Sequence, residues 1–182
     1  GVWQNKLLKT LEEPTDGVFI FVGVTDLEGL LPPVRSRCQV LKRTHSTVAE
    51  VCDVLHADGF DKRSCQIAAA LSGGSVNEGR LILNDPDTFA ACQAAIRFAT
   101  QMTSTKNALA YVAPVVQAKD KVNEFLTFLQ LLYRESIVSR VNGQLCLLTE
   151  LSDEVRTISD NYTIDACRAA IEKIFSAKRA LD

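Results

Sequence analysis

A chain of 182 residues, 47% apolar and 23% charged, has the material for one or two compact domains, which excludes a disordered or low-complexity chain. Its formal net charge of −2 leaves no general basic footprint for nucleic acid. No apolar run reaches the length of a membrane span and no signal peptide opens the chain, so a cytoplasmic location is expected.

The chain begins Gly1-Val2-Trp3, without a methionine, and enters a helical pattern at once; a fragment lacking its N-terminal part is expected. Trp3, Leu7, Leu8 and Leu11 fall on one face of a helix that Pro14 stops. After a turn at Thr15-Asp16-Gly17, the run Val18-Phe19-Ile20-Phe21-Val22-Gly23-Val24 is apolar without alternation. That is the pattern of a strand covered on both faces, as in a parallel sheet. Thr25 and Asp26 then bring the first polar side chains. Ligands of open α/β sheets bind at the carboxyl ends of strands, which makes Thr25 a candidate contact. The competing reading is that Thr25 and Asp26 only cap the helical turn near Leu27.

Leu31-Pro32-Pro33-Val34-Arg35-Ser36-Arg37-Cys38 follows, a short turn or helix ending in two arginines, with a second short strand expected over Cys38-Gln39-Val40-Leu41. From spacing alone Arg35 and Arg37 read either as surface charges stabilised by the end of a helical turn or as groups that reach a phosphate. Beyond Lys42-Arg43 the strand signal ends, and a domain boundary is expected near residues 43–45.

Three short helices come next, over residues 44–84. Thr47 with Glu50 and Ser75 with Glu78 have the capping-box spacing, and Asp58-Gly59 and Gly73-Gly74 close helices. Asp85-Pro86 starts a third region, 85–182, with an N-cap followed by proline at the first helical position. Helices are expected over 86–103, 106–117, 119–142, 150–159 and 163–181. The helix over 119–142 has so little polar face that it should be central to a bundle, while the last is amphipathic, with Ile164, Cys167, Ile171, Ile174 and Phe175 on its apolar face. Loops are expected at Asn142-Gly143 and at residues 159–161. The fold class expected is therefore mixed but mainly α.

Chemistry is sparse. The phosphate-loop pattern G-x-x-x-x-G-K-[ST] does not occur. Gly73-Gly74-Ser75 reads as a helix-to-helix turn rather than an anion cradle, and Asp153-Glu154 as solvated surface. Six cysteines, at 38, 52, 65, 92, 146 and 167, form no C-x-x-C pair and no zinc spacing, and read as core residues in a reducing compartment. His45 and His56 have no nucleophile or ligand partner in the pattern. No metal and no cofactor are expected in this chain.

Gln4-Asn5-Lys6-Leu7-Leu8-Lys9-Thr10-Leu11-Glu12-Glu13-Pro14, then Val18 to Asp26, then Ser36-Arg37-Cys38, stand in one order and spacing. Together they closely resemble a stretch of bacterial DNA polymerase III clamp-loader subunits of the AAA+ class, in which the second piece is the sensor-1 strand and the third the S-R-C motif. Gly73 to Leu83 resembles the family's lid helix. The resemblance implies the C-terminal part of an α/β AAA+ domain over 1–43, a three-helix lid over 44–84 and a helical collar that mediates oligomerisation over 85–182. It implies that Thr25 holds a sensor-1 position, here vestigial, and that Arg37 is an arginine finger acting in trans on a neighbour's ATP. ATP-hydrolysing relatives carry a sensor-2 arginine where this chain has Asn77, and Arg80 stands almost one turn too late. Among the family's subunits this pattern resembles the delta prime class, which does not hydrolyse ATP by itself. The implied partners are gamma/tau and delta subunits, the sliding clamp and primer-template DNA, in replication. Two other readings stay open: an active gamma/tau-type ATPase subunit, and a helical adaptor with no nucleotide role, which an intramolecular salt bridge burying Ser36-Arg37 would favour.

Overall fold

The computed structural model describes residues 2–13, 17–42, 44–102, 111–113, 115, 121–143 and 147–181. The chain divides into two compact units, Gly1–Thr44 and His45–Asp182. Among the described residues the secondary structure is entirely helical, with no strand. None of these helices is long and apolar enough to cross a membrane.

In the first unit, α1 (Val2–Glu12) is followed by an apolar run over 18–24 with no regular secondary structure and a short helix, α2 (Pro32–Ser36). The α1 boundary agrees with the helix expected there, although Pro14 lies outside the described residues. Gly17 has φ +79°, a turn conformation that glycine adopts without a Cβ penalty. The sheet expected from Val18–Val24 and Cys38–Leu41 is a correction. Neither run is a strand, no ladder forms among the described residues, and Phe19 and Phe21 are 85% and 91% exposed. A strand exists only through the bonds it makes to another strand. Apolar content therefore signals only the potential to pair, and these two runs do not pair with each other. The α/β part of the mixed fold is accordingly not seen, whereas the mainly helical character is.

The second unit begins with three helices, α3 (Val48–Ala57), α4 (Lys62–Leu71) and α5 (Val76–Leu83). Thr47 and Glu50 make the complete capping box, with Glu50 N–H donating to Thr47 Oγ1 at 3.2 Å and Thr47 N–H to Glu50 Oε2 at 2.8 Å. At Ser75 only half of the box forms: its hydroxyl oxygen accepts the Glu78 amide at 3.3 Å. Val51, Leu55, Cys65, Ala68, Ala69 and Ile82 make the small core of these helices.

Asp85 and Pro86 start α6 (Pro86–Gln101) as the spacing predicts. The helix expected over 106–117 falls mostly outside the described residues; 111–113 and 115 are helical. Next come α7 (Val122–Asn142), a 3₁₀ turn (Thr149–Leu151), α8 (Ser152–Asn161) and α9 (Ile164–Arg179). As its composition predicts, α7 is central and packs on α6, α8 and α9. It buries Phe125, Phe128, Leu129, Leu132 and Tyr133, and also Glu135, whose carboxylate accepts the Leu147 amide at 2.9 Å. Gly143 ends it in the left-handed region, φ +69°, freeing the chain to turn. The loop expected at 159–161 is instead the last turn of α8 up to Asn161, because Ile158 is buried and holds that end in the core. On α9 Cys167 and Ile174 are buried as expected, but Phe175 is half exposed.

The three short helices are fastened to the bundle through α4. Ile67 belongs to the large core of the bundle rather than to the small one. Beside it Gln66, nearly fully buried, uses both ends of its amide: Nε2 donates to Thr149 Oγ1 and Oε1 accepts the Glu150 amide, each at 2.7 Å. Arg63 adds an ion pair with Glu154.

Candidate functional site

The residues that the sequence marks for function lie mostly in the first unit, and their placement starts from Gln4. This side chain sits on the apolar face of α1, only 7% exposed. Its Nε2 donates to the Gly29 carbonyl at 3.0 Å and its Oε1 accepts the Leu31 amide at 2.7 Å. It therefore ties α1 to the entrance of α2. Leu31 opens α2 with no side-chain cap, and the two prolines that follow need none, since they carry no N–H to satisfy and their φ is already helical. Val34, fully buried, faces inward, and burying such a side chain contributes roughly 1.5–3 kcal/mol.

Arg37 is the C-cap of α2, its amide bonded to the Val34 carbonyl at 3.2 Å. Its guanidinium uses two nitrogens: Nη1 donates to the Pro33 carbonyl at 3.0 Å, and Nη2 lies 2.7 Å from Glu12 Oε1 at the end of α1. Ser36 Oγ donates to the same Pro33 carbonyl at 3.0 Å. The pair is not buried, for the Arg37 and Glu12 side chains are 38% and 50% exposed. Arg35 is exposed and has no ion-pair partner among the described residues.

Thr25 is exposed at a bend after the apolar run. Asp26 does act as a local cap, its Oδ1 accepting the Glu28 amide at 2.9 Å. Thr25 and Arg37 are thus on one unit, and among the described residues no hydrogen bond or ion pair joins them.

In the second unit Arg80 is committed inside its own helical cluster. Nε donates to Asp58 Oδ2 at 2.8 Å and Nη1 to Asn77 Oδ1 at 3.4 Å. The hydrogen bond and charge of Asp58 hold its guanidinium still further above the usual arginine range. His56 is engaged through Nδ1 with the Phe60 carbonyl at 2.8 Å. Cys65, Cys92 and Cys167 are buried, and burial pushes the Cys65 thiol up to about 11 and Cys92 up to about 12, so these are unreactive core residues. Cys146 lies outside the described residues. Among the described residues no group of His, Cys, Asp and Glu could hold a metal ion.

Residues 3–46 match the family model described as DNA polymerase III, delta subunit. The matched stretch takes in α1, the apolar run over 18–24, Thr25, α2 and Arg37, and stops before α3. No curated protein and no solved structure matches the chain.

Two residues of the matched stretch carry no signal in the motifs. Gln4 could have been found, as a polar side chain at helical spacing from Leu7 and Leu8 on the apolar face. Glu12 could not, because nothing in a helical period tells which acid at a helix end meets a base far along the chain.

Proposed function

We propose that this chain is part of a delta prime subunit of a bacterial DNA polymerase III clamp loader, and that Arg37 acts as an arginine finger on the ATP of an adjacent subunit. The observation that carries this reading is the setting of Arg37. It lies inside the clamp-loader match, at the end of a helix started by two prolines and anchored by Val34, with a guanidinium still partly open to solvent. A guanidinium held at a rigid helix end stabilises charge on a transferring phosphoryl group, and supplying it from a neighbour makes hydrolysis depend on assembly. Thr25 is then a vestigial sensor-1 residue.

The assignment to a subunit that does not hydrolyse ATP rests on Asn77 and Arg80. Asn77 cannot provide a cation, and Arg80 is held by Asp58 and Asn77. Gamma/tau and delta subunits are the partners of this reading, with the helical region from residue 85 as collar and the sliding clamp and primed DNA as the substrates of the whole assembly.

The test is Arg37→Ala in a clamp loader reconstituted with the subunit that carries this sequence. The site it serves should lose roughly a thousandfold or more in hydrolysis rate. Steady-state ATPase should fall by that site's share while the helical unit keeps its melting temperature. Unchanged ATPase would exclude the finger.

One observation favours the helical adaptor instead: Arg37 already has an intramolecular salt bridge, to Glu12. The pair is half exposed rather than buried, which leaves the finger the better supported reading.

A further inference from the structure

The ion pair that competes with the finger also supplies a way to control it. Glu12 is the last residue of α1 and Arg37 caps the end of α2, so the guanidinium stands where two helix C-termini meet. A carboxylate at a helix C-terminus is unfavourable, and the arginine cation relieves it. Gln4 fixes the two helices in this register through residues 29 and 31, so the meeting is set by the fold of the unit. Glu12 Oε1 and the Pro33 carbonyl occupy Nη2 and Nη1, the terminal nitrogens of the guanidinium fork. A phosphoryl group would claim the same donors. Both side chains keep substantial exposure, so water screens the pair and its exchange for a stronger anion is easy.

We propose that Glu12 is a positioning residue for Arg37, a latch that retains the guanidinium on its own subunit until a neighbour's γ-phosphate displaces the carboxylate. Glu12 touches no substrate. The proposal rests on the arginine-finger reading of Arg37. Its effect is to tax engagement of the finger, since only the unlatched fraction is competent.

Glu12→Gln keeps the size and removes the charge. In the reconstituted clamp loader it should raise kcat/KM for ATP by about two- to fivefold, the range set by a partly exposed ion pair. Glu13→Gln, the same loss of charge at the exposed next residue, should leave kcat/KM unchanged. The gain must also vanish in an Arg37→Ala background, where a general structural effect of Glu12 would persist. If Arg37→Ala lowers ATPase but Glu12→Gln leaves kcat/KM unchanged or lowers it, the latch is wrong and the finger stands. If Arg37→Ala itself changes nothing, the finger is wrong and the latch falls with it.

Discussion

Asp85 caps α6 and anchors a lysine at the same time. Its Oδ1 accepts the amides of Asp87 and Thr88 at 3.1 and 3.3 Å, and its Oδ2 meets the Lys121 ammonium at 2.5 Å. The bond to Lys121, then that to Thr88, holds the carboxyl at about 2 against an ordinary 3.8. A folded value below the unfolded one means stability that is present above the unfolded value and lost as pH falls through the folded one. The melting temperature should therefore drop between about pH 4 and pH 2. Asp85→Asn, which keeps a competent N-cap, should flatten that drop, and thermal unfolding followed by circular dichroism over this range reads the difference. The capping role was legible from Asp85-Pro86, because a cap is a local arrangement. The Lys121 contact was not, and neither was Glu12 with Arg37: such pairs depend on how distant elements fall together.

At the scale of elements, the helices were legible because a 3.6-residue period and its stop signals are local too. Gly73 and Gly74 were read as a turn between helices, and they separate into two kinds of glycine. Both have positive φ, +59° and +84°. A Cβ on Gly73 would meet nothing within 4 Å, whereas one on Gly74 would stand 2.6 Å from the Ser46 carbonyl oxygen and 2.9 Å from His45 Cβ. Gly73→Ala should cost about 1–2 kcal/mol for the left-handed conformation alone. Gly74→Ala adds a clash with backbone that cannot swing aside, and should cost at least about 3 kcal/mol, at the upper end of strained-backbone costs or beyond. Urea denaturation of the two variants checks the order, and equal losses would mean that the Ser46 backbone yields easily. The apolar run over 18–24 marks where local reading fails. Its apolar content predicted a covered strand and the run is neither a strand nor covered, because pairing is a property of two segments, and one segment cannot report its partner.

For the chain as a whole, the two units bury their apolar residues unequally. The helical unit holds nearly all the core, while Val18, Phe19, Phe21, Val24, Val40 and Leu41 of the first unit are exposed. Exposed apolar segments of strand-forming composition invite pairing between chains. Replacing Phe19 and Phe21 with serine should therefore reduce concentration-dependent aggregation, measured by light scattering. Because both side chains are almost fully exposed, the change in unfolding free energy should stay within about 0.5 kcal/mol. The family resemblance of this region was legible in the order of its motifs, and a family model matches over residues 3–46. The helical remainder offered only composition and period, which specify a bundle without specifying whose.

Gln66 bears on how firmly the short helices are held to the bundle. Both ends of one buried amide are bonded to the segment before α8, so pulling α4 away from that segment would leave a buried donor or acceptor unsatisfied, at a cost of about 1–3 kcal/mol for each group. The attachment of α4 is thus guarded by polar as well as apolar contacts.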